Sequence, residues 1–188
     1  MTVFARLLWT AALLLTMQGC RQRLIELPEV DDPLFSHVAG VQLGMSKAAF
    51  QRLGREVFVR PDGNVQEFYG PGFIEYNFEG AATQRLVAIR WWFEYSDSLH
   101  LMNRWTDLVS GIEETHRGHV RLQTNTRPGM RERRALWDEE PRLGVSAQIL
   151  ADGGPASYRG ELVVIVRMQP WEPDQHGQER AGSTQTPS

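Results

Sequence analysis

From residue 46 onward the apolar positions recur with two different periods, and the changes of period mark off the elements of this chain. Ser46 is placed as an N-cap, with Met45 before it and Phe50 four residues after it set as a hydrophobic staple. Gly54 supplies a left-handed stop, so a short helix is predicted across 46–54 with Phe50 and Leu53 facing one way. Period-two segments follow: FVRP from residue 58, NVQEFYG from 64, a Gly-Pro-Gly turn at 70–72, and FIEYNFEG from 73, in which Ile74, Tyr76 and Phe78 share a face. A polar turn at 79–85 leads to LVAIRWWFEY, where Val87, Ile89, Trp91, Phe93 and Tyr95 alternate strictly with a second set. Asp97 or Ser98 can then cap a longer helix to Arg117. Its apolar positions Leu101, Met102, Trp105, Leu108, Val109 and Ile112 recur at helical spacing, and Gly118 ends it.

Four more strand-like segments complete the body: HVRLQTNT, MRERRALWDEE, LGVSAQILA and YRGELVVIVRMQ, with turn signals at 127–129, 139–141 and 152–155. Consecutive strands on short turns pair as antiparallel hairpins. The predicted class is therefore α+β, with antiparallel sheets each packed by a helix. The order helix, three or four strands, helix, four strands fits a tandem duplicated unit, with repeats at 38–95 and 96–169.

The two ends read differently. Residues 1–19 pair a basic Arg6 with an apolar run from Leu7 to Thr16, too short to span a bilayer, and place Gly19 before Cys20. Met17-Gln18-Gly19-Cys20 resembles bacterial lipoprotein signals, whose pattern is Leu, a small residue, Gly or Ala, then an invariant lipidated cysteine. Cys20 is the only cysteine of the 188 residues, so it has no disulfide partner within the chain. The resemblance implies a signal peptide over 1–19, palmitate-type lipidation at Cys20 and a membrane anchor. In many such proteins an Asp after the lipidated cysteine retains them at the inner membrane. Arg21 stands there instead, which implies the periplasmic face of the outer membrane. Residues 20–37 read as a lipidated tether and 170–188, polar and rich in Pro, Gly, Ser and Thr, as a disordered tail.

Composition narrows the function. Without residues 1–19 the chain has 169 residues, with 19 basic and 23 acidic side chains and a formal charge of −4. That leaves no basic excess for gripping nucleic acid. Lys47 is the sole lysine, which removes most candidates for Schiff-base chemistry.

The segment Val41-Gln42-Leu43-Gly44-Met45-Ser46, followed by a short helix ending Leu53-Gly54, resembles the opening of SmpA/OmlA-type lipoproteins and of β-lactamase-inhibitor-protein-like domains. About 14 residues carry the likeness, and they describe a capped helix start ahead of a small antiparallel sheet. The resemblance implies an envelope lipoprotein working by protein contact in assembly, scaffolding or inhibition.

Candidate chemistry is sparse. Glu113, Glu114, His116 and His119 have metal-like spacing, but the two histidines straddle the end of a helix, and a His closing a helix also suits its dipole. No metal site and no cofactor are predicted. Neither a Gly-x-Ser-x-Gly elbow nor a Ser-x-x-Lys is present, and Gly153-Gly154-Pro155 lacks the lysine of a phosphate loop. The acidic runs Glu113-Glu114 and Asp138-Glu139-Glu140 read as solvated turns or helix ends. No enzyme activity is predicted.

Trp91 and Trp92 are consecutive in one strand, so they leave opposite faces of the sheet and only one enters a helix-covered core. The other shares its face with Arg90 and Glu94. Arg90, Trp92 and Glu94 are therefore predicted as binding residues, because Trp and Arg are usual interface anchors; the alternative is burial of both tryptophans between two layers. Arg131 and Arg133 share a face and suit an acidic partner, lipid phosphates or peptidoglycan carboxylates, although they also suit a charge-protected edge strand. The expected protein is a non-catalytic module that binds an envelope protein through an open sheet face. The alternatives are a carrier of a small ligand or lipid, and an inhibitor of a periplasmic enzyme.

Overall fold

The computed structural model describes residues 23–80, 84–116, 118–151 and 158–171. Three helices occur there: α1 (Pro33–His37), α2 (Lys47–Gln51) and α3 (Ser98–Thr115). Eight strands accompany them: β1 (Phe58–Val59), β2 (Val65–Tyr69), β3 (Gly72–Glu79), β4 (Arg85–Tyr95), β5 (Val120–Arg127), β6 (Met130–Trp137), β7 (Arg142–Ala151) and β8 (Tyr158–Arg167).

The helices start where the side-chain chemistry allows. The Ser46 hydroxyl accepts from the Ala49 amide at 3.2 Å, and Gly54 closes the α2 turn at φ +68°. Asp97 caps α3 by accepting from the Leu99 and His100 amides at 2.7 and 3.3 Å. Asp32 caps α1, and both of its oxygens also accept from the Arg104 guanidinium at 2.8 Å, which ties the N-terminal segment to α3. Leu34 and Phe35 of α1 are buried, and Ile25 bridges to Leu43, so part of the stretch expected as a tether packs on the body.

All eight strands form one antiparallel sheet in the order β1-β2-β3-β4-β8-β7-β6-β5. This overturns the expected α+β arrangement of separate sheets, each with its own helix. β4 pairs with β3 on one side and with β8 on the other, from Ala88↔Arg167 to Tyr95↔Gly160, so the 38–95 and 96–169 segments share a single sheet. The helices are also too unequal for the expected scheme: α1 and α2 have five residues each, and α3, with 18, is the one long helix among the described residues. Local hairpin rules describe pairing between neighbours in sequence, and the β4–β8 seam joins strands about 70 residues apart.

The helices cover one face of this sheet. α3 packs against β7, β8 and β4, burying Leu101, Trp105, Leu108, Val109 and Ile112. The Trp105 indole donates to the Val145 carbonyl at 3.2 Å. Ile89, Trp91 and Phe93 of β4 point into the same layer, where Trp91 is fully buried 5.5 Å from Phe35. Each such side chain removed from water contributes about 1.5–3 kcal/mol.

Glu67 is the polar anchor of this layer. Arg55 donates to it twice, at 2.9 and 3.0 Å, Tyr76 donates its hydroxyl at 2.8 Å, and His37 Nε2 lies 2.8 Å away. Burial pushes the carboxyl up, but hydrogen bonds from Arg55, Tyr76 and His37 outweigh it, so Glu67 is held below the usual carboxylate range. Burial, reinforced by the bond to Glu67, pushes the Tyr76 hydroxyl well above its ordinary value.

Candidate functional site on the uncovered face of the sheet

Strand parity fixes what the opposite face presents. On β4 the residues pointing away from the helices are Ala88, Arg90, Trp92 and Glu94; the first three face residues of both β3 and β8, and Glu94 faces Glu161 of β8. Phe73 of β3 lies across from Trp92 and stacks on it, with ring centroids 5.1 Å apart and planes at 29°. Phe68 pairs in turn with Phe73, and Phe58 lies 5.3 Å from Phe68. Phe58, Phe68, Phe73 and Trp92 thus form an aromatic ladder across four strands, from the β1 edge to the centre of the sheet. Phe68 is 79% exposed, far above the burial its ring would otherwise favour.

Charged groups frame the inner end of the ladder. The Trp92 indole donates to Glu161 at 3.4 Å, and the Arg159 guanidinium stands 5.9 Å from the ring centroid. Arg159 also pairs with Glu94 and with Glu161 at 3.4 Å, so Glu94 serves as a counter-ion to Arg159. Arg90 is exposed and makes no hydrogen bond or ion pair among the described residues.

Beyond Trp92 the face dips into a cleft of about 630 Å³ over β8, β7 and β6. Val163, Ile165 and Leu136 give it an apolar floor, and Arg90, Arg142 and Arg121 stand around it. Glu132 lies in this floor, 2% exposed. Its Oε1 accepts from Arg134 Nε at 2.7 Å, the Ser146 hydroxyl at 2.8 Å and the Gln148 amide at 2.9 Å. Burial pushes the carboxyl up, and the bonds from Arg134, Ser146 and Gln148 more than reverse that, holding it below the ordinary range. An acceptor held ionised in this way fixes the cleft wall; it is poorly suited to trading protons at neutral pH. No histidine, lysine or cysteine lines the cleft among the described residues.

Trp171 closes one end of the cleft. Its indole donates to the Trp137 carbonyl at 3.2 Å, and Arg167 stands 5.2 Å from the ring centroid. The ring lies over Gly144, where an added Cβ would meet it at 2.7 and 2.9 Å. A glycine is required there because the indole occupies the place of a side chain.

Of the residues predicted from sequence, Arg90, Trp92 and Glu94 come together on the uncovered face. Arg131 and Arg133 lie on the opposite, helix-bearing face, exposed beside α3, so the two groups do not form one site. The other contributors were missed: Phe58, Phe68, Phe73, Glu132 and Trp171. Parity would have found Phe73 and Phe68, which fall opposite the Ile74–Tyr76 face once the 70–72 turn fixes the register. His116 packs edge-on to Trp137, with centroids 6.5 Å apart, and burial lowers its basicity, an effect Glu139 partly offsets. Among the described residues no three His, Cys, Asp or Glu side chains gather closely enough to hold a metal ion. No helix there is long and apolar enough to cross a membrane. Cys20, the expected signal over 1–19, Arg21, the 152–155 turn and residues 172–188 of the expected tail lie outside the described residues.

Comparison with family models, with curated proteins and with solved structures found no match for this chain.

Proposed function

We propose that this protein is a lipid-anchored envelope protein, held through Cys20 at the periplasmic face of the outer membrane, that binds another envelope protein on the uncovered face of its sheet without catalysing a reaction. The observation that carries the reading is the aromatic ladder. A sheet with one face packed by helices and the other carrying Phe58, Phe68, Phe73 and Trp92 in line, ending at an exposed Arg90, has the residue types that dominate protein interfaces. The anchor rests on Cys20 and the lipoprotein-like segment before it, and the mode of action agrees with the SmpA/OmlA-like opening at 41–54.

Two experiments test the two parts separately. Radiolabelled palmitate should enter the wild type and not Cys20→Ala; equal labelling of both removes the anchor. Pull-down from envelope extract should lose one partner with Trp92→Ala while the fold, followed by circular dichroism, stays intact. Unchanged recovery from a folded variant takes Trp92 out of the interface.

A second reading, carriage of a small ligand, is favoured by the cleft between Trp92 and Trp171, whose volume of about 630 Å³ lies in the usual range for ligand pockets. Delipidated protein that yields no bound small molecule by mass spectrometry, while the partner protein still binds, decides against it.

A further inference from the structure

The two edges of the sheet are built differently. β1 is two residues long, a length that blunts an edge, whereas β5 runs for eight residues and pairs only with β6 among the described residues. No described segment hydrogen-bonds to the outer side of β5, and no bulge interrupts its register with β6 from Val120↔Trp137 to Arg127↔Met130. A row of backbone donors and acceptors about 25 Å long is therefore open to pairing.

The charge around that edge is segregated. Residues 120–137 hold five arginines and one glutamate, a formal +4, so the remainder of a chain with net charge −3 carries −7. On the uncovered face of the edge strand stand Arg127 and Arg121, the latter 3.6 Å from Asp138. Arg131 and Arg133 stand on the helix-bearing face, one strand in, opposite the short side chains of Thr126 and Thr124, across which they can lean. On that same face Leu122 is 63% exposed, and a groove of about 490 Å³ runs between α3 and the β5–β7 strands, bordered by Met102, Thr106 and Ile149.

We infer that the β5 edge is a second interaction surface, which takes an acidic, extended segment of a partner polypeptide as a ninth, antiparallel or parallel strand. Backbone pairing along β5 supplies the grip, Leu122 receives an apolar side chain, and the arginines on either face select carboxylates. A second copy of this chain fits worse: in the register centred on Thr124, Arg121 of each strand would face Arg127 of the other, and like charges directly opposite are destabilising. This surface is independent of the aromatic ladder on the uncovered face.

The test uses the full chain and a fluorescent peptide of about eight residues in which Glu alternates with Val, beside a peptide with Lys in place of Glu. Fluorescence anisotropy should show saturable binding of the Glu peptide and none of the Lys peptide. Methylating the backbone nitrogens of one alternate set of residues should weaken binding at least about tenfold, because those amides face β5, while methylating the other set leaves it little changed. The triple variant R127E/R131E/R133E, all at exposed positions, should abolish binding without altering a Trp92 interface. No binding of the Glu peptide, equal binding of the Lys peptide, indifference to both methylation patterns, or dimerisation of the protein through β5 would each overturn the inference.

Discussion

Placing an alanine at Gly144 tests the packing of the cleft most sharply, because the outcome depends on whether the Trp171 ring is there. In the wild type the new Cβ would lie 2.7 Å from Trp171 Cη2, 2.9 Å from Cζ2 and 3.1 Å from Leu136 Cδ2. Overpacking of this kind costs about 1–3 kcal/mol, set against about 0.5–1 kcal/mol gained by replacing a strand glycine with alanine. Gly144→Ala should therefore destabilise the protein by about 1–2 kcal/mol. With Trp171→Ala already present, the two closest contacts vanish and only the movable Leu136 methyl remains. Gly144→Ala should then be neutral or stabilising by up to about 1 kcal/mol. The coupling energy of the double-mutant cycle is expected at about 1–3 kcal/mol, with the double variant more stable than the sum of the single changes implies. Urea denaturation of the four proteins, followed by far-ultraviolet circular dichroism, measures it. An equal cost of Gly144→Ala in both backgrounds would mean that the indole does not occupy the space above Gly144.

Other outcomes follow from the same contacts. Trp91→Ala, in the fully buried layer, should cost about 3–5 kcal/mol, against about 1–2 kcal/mol for Trp92→Ala on the other face, both read by urea titration. Trp91→Phe should cost only about 1 kcal/mol, because the buried Trp91 indole N–H has no hydrogen-bond partner among the described residues and its loss strands none of them. Arg104→Ala should cost about 1–3 kcal/mol by leaving Asp32 without its bidentate partner, and limited proteolysis should then cut first near α1. Folded-state carboxyls of Glu67 and Glu132 lie below their unfolded value of about 4.3, so the stability they contribute is complete above that pH and lost as the pH falls through their folded values. Thermal denaturation of E67Q/E132Q should show a lower melting temperature at neutral pH and a flatter decline under acid than the wild type; parallel declines would contradict the assignment. His116, whose folded value is also lowered, adds a loss that begins below about pH 6.5, and His116→Asn should remove that early step.

Much of the local structure was legible in the sequence, because it is governed by neighbours. Ser46, Gly54 and Asp97 cap or close helices as their chemistry requires, and the alternation of 89–95 both marks β4 and sends Trp91 and Trp92 to opposite faces. The global arrangement was not legible. β4 has one apolar face and one that mixes Trp92 with Arg90 and Glu94, and that pattern says nothing of which strand lies beside it. The pairing with β8 depends on α3 crossing the sheet between the two meanders, and no local residue records that. The same limit applied to the site. Arg90, Trp92 and Glu94 share one strand and could be grouped by parity, whereas Glu132 reaches the cleft floor only because β6 and β7 bring Ser146 and Gln148 beside it. Arg131 and Arg133 could be paired with each other by parity, but which face they share was not legible: they are odd-numbered residues of a strand whose even-numbered positions face the cleft.

Photocrosslinking in intact cells bears most directly on the claim that this protein acts by contact through its uncovered sheet face. A photoreactive residue would replace Trp92 in one version of the full chain and the exposed Glu113 of α3 in another. Irradiation should give one discrete protein adduct from position 92, identified by mass spectrometry, and none of that species from position 113. Adducts to the same protein from position 113 alone, or no protein adduct from position 92, would contradict it.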